Sequence, residues 1–347
     1  MKKILFRILL GIGVLPVLFL LFLLISTLAE YRPSDQIILE SSSDSDSLPD
    51  STLYTALIWN IGYAGLGANM DFFYDGGKGV RDTHAHVENN FQAISSFLGS
   101  NDSIEFILLQ EVDISSKRSY RINQVSAFDT LLNKHGGYVG INYQVGFVPV
   151  PVYSPLGKVK SGIVTYSDCK PVDVRRYAYP GSFSWPSRTF NLKRCFLVSR
   201  YNLSGGKDFV LINTHNSAYD DGSLRAAEIK ALASFVEQEF KKGNYVLIGG
   251  DWNQCPSGFE PNFTQPFDTI DLIHLPVDFL SGWKQAYPND GPTNRRIRTS
   301  YDRSETLTTV IDYYIASPNI NIVSVRRLDL DFAHSDHQPV LLTFSFN

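Results

Sequence analysis

The chain has 347 residues, of which 44% are hydrophobic and 19% charged, and this balance excludes a disordered or collagen-like protein. Three cysteines are too few for a small scaffold held together by several disulfides. The formal net charge of −4 provides no overall basic character, so composition alone does not indicate nucleic-acid binding.

A long apolar run lies at the N-terminus. Three basic residues precede an uncharged stretch from Ile8 to Ala29, which as a helix would span roughly 33 Å, enough for the hydrocarbon core of a bilayer. We therefore expect residues 1–30 to form a transmembrane anchor, with a cleaved signal peptide as the alternative. The basic residues predict a single-pass topology with a cytoplasmic N-terminus and the rest of the chain on the non-cytoplasmic side, or a secreted protein after cleavage.

Residues 31–52 have the composition of a spacer. The stretch from Glu40 to Ser51 is acidic, rich in serine and free of aromatic residues, so it cannot bury enough apolar surface to offset the entropy of ordering. We expect a flexible linker here, followed by one domain over residues 53–347. That domain carries 27 lysines and arginines against 29 aspartates and glutamates, which makes it nearly neutral.

Strand-like and helix-like patterns alternate along the domain. Short runs rich in β-branched and aromatic residues are bounded by Gly, Asn, Asp or Ser, which predicts strands. They are Tyr54–Trp59, Phe106–Leu109, Ile163–Tyr166, Phe196–Ser199, Phe209–Asn213, Tyr245–Ile248, Val310–Ala316 and Val340–Phe346. Helical spacing of apolar residues covers Val87–Leu98 and Leu224–Phe240. The mixture indicates an α/β protein built from packed layers.

Polar residues recur where these strands begin or end. One such junction is ordinary, because strands commonly end in polar turns. Six junctions that carry only carboxylate, amide and imidazole groups instead indicate a shared site. They contain Asn60, Gln110-Glu111, His215, Asp251 with Asn253, Asp312, and Asp336-His337.

The carboxylates and one amide among these residues suit a hard divalent cation. Mg²⁺ is held in proteins by one or two carboxylates while it keeps several waters, and it binds phosphate oxygens. Glu111 is the best candidate metal ligand, and Asn60 and Asp336 are further candidates.

The histidines suit the proton transfers of phosphoester hydrolysis. A histidine steered by a carboxylate works as a base near neutral pH, and His337 with Asp312 is such a pair. Charge that develops on phosphate oxygens needs hydrogen-bond donors, which His215 and Asn253 can supply.

Six motifs in order resemble the endonuclease/exonuclease/phosphatase superfamily, whose members are similar to pancreatic deoxyribonuclease in fold. The motifs are WNIG, LLQEVD, NTH, GGDWNQCP, IDYYIAS and SDHQPV, and together they span nearly all of residues 53–347. The resemblance implies a four-layer α/β/β/α sandwich of two mixed β-sheets flanked by helices. It also implies divalent-metal-dependent cleavage of a phosphoester by in-line attack of water, with Mg²⁺ as the cofactor and Mn²⁺ as an alternative.

The resemblance also implies roles within the motifs. Asp251 and Asn253 would orient the nucleophile and the phosphate, and His215 would bind or protonate a phosphate oxygen. Two alternatives stay open, namely Asp251 as the base, or a second metal ion near Asp251 and His337.

Several substrates are compatible with these motifs. A nuclease is one, although the near-neutral domain argues mildly against it, because binding to a phosphate backbone relies on Lys and Arg. A phospholipid or sphingomyelin phosphodiesterase is another. It is supported by the expected anchor and by GDWNQCP, which is similar to the GDxNxxP motif of that branch and of the deadenylase branch. A phosphomonoesterase of the inositol-phosphate type is disfavoured, since only Tyr301-Asp302-Arg303 partly matches that group's extra motif. A catalytically silent, membrane-tethered interaction module is the non-enzymatic alternative. No protein partner is implied.

Three further regions have two interpretations each. The Gly- and aromatic-rich stretch after Asn60 predicts a long loop beside the site that either contacts substrate or packs as a surface loop. Arg188, Lys193 and Arg194 could meet a phosphate or lie at solvated strand edges. A basic cluster before Asp312 could attract a phosphate-bearing substrate or form a solvated loop, and it consists of Arg295, Arg296, Arg298 and Arg303.

Overall fold

The computed structural model describes residues 2–42, 45, 47–50, 52–261 and 272–347, and for residues 2–12 only the backbone is described. The helices are α1 (Lys2–Leu28), α2 (His84–Ser100), α3 (Gln124–Leu131) and α4 (Ser223–Lys241). The strands are β1 (Gln36–Ser41), β2 (Tyr54–Asn60), β3 (Phe106–Asp113), β4 (Gly136–Val148), β5 (Gly157–Ser167), β6 (Asp173–Ala178), β7 (Cys195–Asn202), β8 (Asp208–His215), β9 (Tyr245–Asp251), β10 (Lys284–Ala286), β11 (Asn294–Arg295), β12 (Thr308–Thr309), β13 (Asp312–Ala316), β14 (Ile320–Arg327) and β15 (Val340–Phe346).

The longer strands assemble into two mixed sheets. One has seven strands in the order β1-β6-β7-β8-β9-β13-β10, and the other has six in the order β14-β15-β2-β3-β5-β4. Each sheet contains one parallel pair, β8 with β9 and β2 with β3, among antiparallel neighbours. Strands β11 and β12 form a separate two-stranded ladder. The carboxyl ends of the two parallel pairs provide most of the polar residues singled out above.

The apolar faces of the two sheets pack against each other. Ile58 and Leu108 from one sheet share a buried cluster with Leu211 and Leu247 from the other. Burying a side chain of this size stabilises the fold by about 1.5–3 kcal/mol. The two sheets are therefore held face to face by a continuous apolar layer.

Helices cover the outer faces of both sheets. The apolar side of α4 buries Leu232 and Val236 against the seven-stranded sheet. Helix α2 buries Val87, Ile94 and Leu98 against the six-stranded sheet, and the Thr83 hydroxyl caps its first turn by accepting a hydrogen bond from the His86 backbone N–H at 3.3 Å. The arrangement confirms two mixed β-sheets flanked by helices.

Helix α1 contains most of the apolar run predicted as a membrane anchor. The side chains of residues 1–12 lie outside the described residues. Within the part of the chain that is described, no helix is both long enough and apolar enough to span a bilayer. The prediction of a transmembrane helix within residues 1–30 is therefore not supported. The location of the domain relative to a membrane stays a prediction.

The segment predicted as a linker contributes a strand. Residues 36–41 form β1, which pairs antiparallel with β6 at the edge of the seven-stranded sheet, and Leu48 is buried against residues from both sheets. The prediction of a flexible linker over residues 31–52 therefore does not describe this part of the segment. The alternating exposure of Gln36–Ser41 fits an edge strand with one covered face. Residues 43, 44, 46 and 51 of the predicted linker lie outside the described residues.

One buried side chain links the two sheets through hydrogen bonds. The Asn213 side chain, in β8, accepts a hydrogen bond from the Gln110 Nε2 at 2.8 Å. Its own Nδ2 donates to the Val164 carbonyl at 2.9 Å, so β8 bonds to both β3 and β5 of the other sheet. Buried polar groups of this kind are costly to leave without partners.

We expect Asn213→Ala to lower the free energy of unfolding by about 1–3 kcal/mol, because it leaves Gln110 and a buried carbonyl unpaired. Urea denaturation followed by circular dichroism measures the change. Asn321→Ala is the matched control, since that amide makes an exposed hydrogen bond to Ser345, and its effect should stay within about 0.5 kcal/mol. An equal loss of unfolding free energy in the two variants would contradict a stabilising role for the buried hydrogen bonds of Asn213.

Candidate active site

Four of the predicted site residues lie at the carboxyl ends of the two parallel strand pairs. Asn60 ends β2 and Glu111 lies near the end of β3, while His215 ends β8 and pairs in register with Asp251, which ends β9. Asp312 begins β13 and also pairs with Asp251. The strand ends therefore meet along one edge of the sandwich.

A hydrogen bond joins the two sheets at this edge. The Asn60 Nδ2 donates to the Asp251 Oδ2 at 2.9 Å, and both side chains are buried. The other carboxylate oxygen of Asp251 accepts from the Asn253 backbone N–H at 2.9 Å. The His215 Nε2 lies 3.4 Å from the Asp251 Oδ2. Asp251 is thus contacted from three directions.

The two glycines before Asp251 allow this close approach. A Cβ on Gly249 would lie 2.7 Å from the Tyr314 ring and 2.8 Å from Ile58 of the opposite sheet. Gly250 has φ +149°, and a Cβ there would lie 2.0 Å from the Thr214 carbonyl oxygen. Any side chain at these positions would push β9 away from its neighbours, which explains the glycine pair in GGDWN.

Glu111 leaves the regular ladder of β3. The pairing between β3 and β5 shifts register between Leu109 and Val112, and Glu111 has φ +56°. Irregularities of this kind re-aim a side chain beside active sites. Among the described residues no group donates a hydrogen bond to the Glu111 carboxylate, whose closest basic neighbour is the His215 Nε2 at 4.0 Å. The carboxylate is therefore free to bind a cation.

His337 and Asp312 form the pair expected from the sequence. The His337 Nδ1 lies 2.8 and 3.0 Å from the two carboxylate oxygens of Asp312, which is fully buried. The segment that carries His337 is fixed to β2, because the Trp59 Nε1 donates to the His337 carbonyl at 3.0 Å and the Ser335 hydroxyl donates to the Asn60 carbonyl at 2.8 Å.

The other ring nitrogen of His337 faces three polar groups. Its Nε2 lies 3.0 Å from the Asn294 Nδ2, 3.7 Å from the Asp251 carboxylate and 3.8 Å from the Asp336 carboxylate. Asn294, which the sequence analysis missed, is placed there by the β11–β12 ladder. No local pattern marks it, because its role depends on a contact 43 residues away.

The electrostatics of the site separate the two histidines. Burial lowers the pKa of His337, but the carboxylates of Asp312, Asp336 and Asp251 outweigh burial and hold its pKa well above the usual value. Burial together with the positive charges of Arg194, His337 and Arg118 holds the pKa of His215 well below the usual value. The surroundings therefore favour the charged form of His337 and the neutral form of His215.

The pKa values of two buried carboxylates, Asp336 and Asp312, are both raised. Burial raises the pKa of Asp336 to about 7, with a further contribution from the nearby Glu111 charge, while His337 and Arg295 act against the rise. Burial raises the pKa of Asp312 to about 6 in spite of its contact with His337. Both carboxylates are held at an electrostatic cost that a bound cation would reduce.

A cavity of about 550 Å³ opens over these groups. Seven of the eight predicted site residues border it, namely Asn60, Glu111, His215, Asp251, Asn253, Asp336 and His337. Asp312 contacts His337 from the buried side. Tyr63, Leu66, Phe72, Tyr74 and Asp75 also border the cavity, which confirms that the segment after Asn60 lies beside the site.

Four arginines border the cavity, of which Arg296 is exposed and the other three make different contacts with the fold. Arg118 stacks 3.7 Å above the Tyr63 ring and pairs with Asp113 at 3.0 Å, so its charge is neutralised within the fold. Arg295 is buried and donates to the Gly67 carbonyl at 2.7 Å, which excludes the interpretation that it is a solvated side chain. Arg194 is half-buried beside His215, to whose carbonyl it donates at 3.4 Å.

The residues at this edge fit a divalent cation. Glu111, Asp336 and the Asn60 amide oxygen are the hard oxygen donors that Mg²⁺ prefers. A Cβ on Gly62 would lie 2.9 Å from the Asp336 Oδ1, so only glycine leaves the space beside that carboxylate open. A second group is formed by Asp251, Asp312 and His337, whose ligand atoms lie within 4.8 Å of one another. Its mixed oxygen and nitrogen donors match the alternative of a second metal ion near Asp251 and His337.

We expect Asp336→Asn to stabilise the metal-free protein at high pH. The folded-state pKa of Asp336 is raised, so the favourable neutral form is lost as pH rises towards and above 7, and the amide avoids that loss. At pH 8.5 with EDTA the variant should be more stable than wild type by at most about 4 kcal/mol, with a much smaller difference at pH 5.

Thermal unfolding across this pH range measures the effect, with the exposed Asp331→Asn as control. An identical pH dependence in wild type and Asp336→Asn would contradict the electrostatic cost assigned to this carboxylate.

Comparisons with known proteins agree with this geometry. The model of the Endonuclease/Exonuclease/phosphatase family matches residues 57–337. A similar solved structure is an endonuclease/exonuclease/phosphatase from Beutenbergia cavernae DSM 12333, with a TM-score of 0.58, 19% identity, and coverage of 85% of this chain and 72% of that one.

Two further structures are similar in fold. The human Nocturnin catalytic domain with bound sulfate has a TM-score of 0.53, 17% identity and coverage of 88% and 97%. D. rerio TDP2 complexed with a single-strand DNA product has a TM-score of 0.52, 14% identity and coverage of 85% and 100%. Likeness at these identities concerns the fold alone. No curated protein matches the sequence.

Proposed function

Because the chain belongs to the endonuclease/exonuclease/phosphatase family, we propose that it is a Mg²⁺-dependent phosphodiesterase that hydrolyses its substrate by in-line attack of water. The observation that carries the proposal is the meeting of carboxylates, amides and two histidines with oppositely shifted pKa values around one cavity, at the ends of strands from both sheets. Ionisable groups with perturbed pKa values that share one cleft are typical of functional sites.

Glu111, Asp336 and Asn60 would hold the metal ion in this proposal. When bound, a divalent cation neutralises charge on the phosphate oxygens and orients the phosphoester. The Glu111 carboxylate, which lacks a donor among the described residues, supports this role, as does the raised pKa of Asp336 beside it.

Asp251 is the better candidate for the group that accepts the proton of the attacking water. Its carboxylate is fixed by Asn60 and Asn253 and borders the cavity. The sequence motifs had instead favoured His337 for this task. The Nδ1 of His337 is occupied by Asp312, however, and its Nε2 lies among Asn294 and two carboxylates. We assign His337 the role of a cationic donor to a phosphate oxygen, with Asp312 as its positioning residue.

His215 and Asn253 complete the proposed site. A neutral His215 can donate from Nε2 towards a phosphate oxygen beside Asp251. The Asn253 Nδ2 donates one hydrogen bond to the Asn216 carbonyl at 2.9 Å, which fixes the amide and leaves its second N–H for substrate. Donors positioned before substrate arrives stabilise the developing charge without reorganisation.

We expect Glu111→Gln, Asp251→Asn and His337→Gln each to lower kcat/KM for bis(p-nitrophenyl) phosphate with Mg²⁺ by about 100-fold or more. Release of nitrophenol measures the rate, and circular dichroism checks that each variant is folded. Glu237→Gln, on the exposed face of α4, is the control and should match wild type.

EDTA should abolish the activity, and Mg²⁺ should restore it. Full activity of Glu111→Gln, or activity that EDTA leaves intact, would contradict the proposal. Inactivity of the wild type on every phosphoester with Mg²⁺ or Mn²⁺ would favour the catalytically silent module instead.

Nucleic acid and a phospholipid head group both remain candidate substrates. The complex of D. rerio TDP2 with a single-strand DNA product supports the first. Contacts of α1 and of Glu30, which follows it, support the second. The Trp185 Nε1 donates to the Thr27 hydroxyl at 3.0 Å, and Lys193 pairs with Glu30 at 2.7 Å. The segment that carries Trp185 and Lys193 also borders the cavity through Asn191.

An exposed apolar surface extends from these contacts along α1. Leu15, Leu20 and Leu28 are 67%, 61% and 78% exposed on this one helix, and a large exposed apolar surface marks an interaction site. We propose that this surface contacts lipid and so brings head groups close to the cavity mouth.

We expect the full chain to co-sediment with phosphatidylcholine vesicles and the double variant Leu15→Lys/Leu20→Lys to lose most of that binding. Each lysine removes apolar contact area and adds a charge that is costly to bury. Val277→Lys, at a position 87% exposed on the domain, is the control. Equal binding of all three proteins would remove the support for a lipid substrate.

A further inference from the structure

Asp75 connects three segments at the mouth of the cavity. Its Oδ1 accepts a hydrogen bond from the Tyr219 hydroxyl, and its Oδ2 accepts one from the Ile297 backbone N–H at 3.1 Å. The rings of Tyr74 and Tyr219 stack with centroids 5.7 Å apart and an interplanar angle of 25°. We call these four residues the Asp75 bridge, and all four border the cavity.

The Asp75 bridge joins the two halves of the sandwich. Tyr74 and Asp75 lie between β2 and α2, on the chain that leaves the six-stranded sheet, and Tyr219 lies between β8 and α4, on the chain that leaves the seven-stranded sheet. The same two strands end at Asn60 and His215 in the site. The cavity is therefore bordered by two links between the sheets, the Asn60–Asp251 hydrogen bond and the Asp75 bridge.

The size of the cavity matches a small ligand. Its volume of about 550 Å³ lies within the usual range for pockets that enclose a small molecule. An internal phosphodiester of a long strand needs an open channel, because chain must enter on one side of the site and leave on the other. A link between the sheets at the mouth obstructs such a path.

The charges at the mouth also disfavour a continuous strand. Backbone binding depends on several Lys or Arg side chains that neutralise successive phosphates. Here Asp75 places a carboxylate at the mouth, Arg118 is already paired with Asp113, and Arg295 donates into the fold. Among the described residues that border the cavity, Arg296 and the half-buried Arg194 are the other Lys or Arg side chains, which is fewer than a row of phosphates requires. The Asp75 carboxylate would repel a row of phosphates more strongly than a single phosphoester bound at the proposed metal-binding carboxylates.

We propose, building on the proposed function, that the Asp75 bridge restricts the site to compact phosphoesters. The reacting phosphate is then on a small molecule or head group, or at the end of a chain, and internal phosphodiesters of a continuous strand are excluded. Asp75 and Tyr219 are the specificity-determining residues.

The test compares compact probes with a strand that has no ends. The compact probes are the dinucleotide thymidylyl-thymidine and p-nitrophenyl phosphocholine, and the strand is a circular oligothymidylate. With Mg²⁺, the full chain should hydrolyse at least one compact probe, with kcat/KM per phosphodiester about 100-fold or more above that for the circle. A circle cleaved at a rate comparable to the better compact probe would overturn the inference.

Variants that disrupt the Asp75 bridge test whether Asp75 and Tyr219 restrict the substrate. Asp75→Ala and Tyr219→Ala should raise the ratio of circle to compact-probe cleavage about tenfold or more, and Tyr219→Phe, which removes only the hydroxyl, should raise it less. Tyr245→Phe is the matched control, since its hydroxyl donates to the Asn347 carbonyl at the opposite end of β9 and should leave the ratio unchanged. An unchanged ratio in all of the Asp75 and Tyr219 variants would overturn the assignment.

Failure of the proposed function gives a different result. If bis(p-nitrophenyl) phosphate and both compact probes are untouched by the wild type, the phosphodiesterase proposal falls and this inference falls with it. Hydrolysis of bis(p-nitrophenyl) phosphate together with rapid cleavage of the circle keeps the function and overturns only the restriction on substrate.

Discussion

The hydrogen bond between Asn60 and Asp251 is the contact on which the site depends. It joins the end of β2 in one sheet to the end of β9 in the other, and both side chains are buried. His215 and Asp312 pair in register with Asp251, and the Asn253 backbone donates to its carboxylate. The positions of these groups follow from where the two sheets meet.

Burial then determines the charges within this frame. Asp312, Asp336 and Asp251 surround His337, which is stabilised as a cation although burial alone would favour the neutral ring. Two of the same carboxylates have raised pKa values because they are withdrawn from water. The fold thus holds several buried carboxylates close together, and their negative charge is only partly balanced by nearby positive groups. This arrangement favours the binding of a cation.

Much of this site could be predicted from the sequence, because its residues directly adjoin apolar strands. Asn60, His215 and Asp251 each end a strand whose pattern of β-branched and aromatic residues is clear. A short motif at the end of each strand identifies these residues in their order along the chain. The expected sandwich of two mixed sheets flanked by helices is confirmed on the same grounds.

The elements that were missed depend on distant contacts. Strand β1 is ordered by pairing with β6, more than 130 residues away, and its last two residues belong to the acidic, serine-rich stretch that follows. Helix α3 buries Gln124, whose amide bonds to the Tyr63 carbonyl, so a polar residue occupies a position where the pattern requires an apolar one. Arg118 stacks on Tyr63, and no spacing in the sequence reveals that contact.

Gly249 sets the distance between the two sheets next to the site. With only a hydrogen as its side chain, it lets Ile58 of the opposite sheet and the Tyr314 ring approach the β9 backbone. Asn60 and Glu111 lie on one sheet and Asp251 on the other, so a methyl group at this position would increase the distance between the proposed metal ligands and the proposed proton acceptor. The distances within the site therefore depend on how closely the two sheets pack. A larger side chain at position 249 would change those distances together with the core.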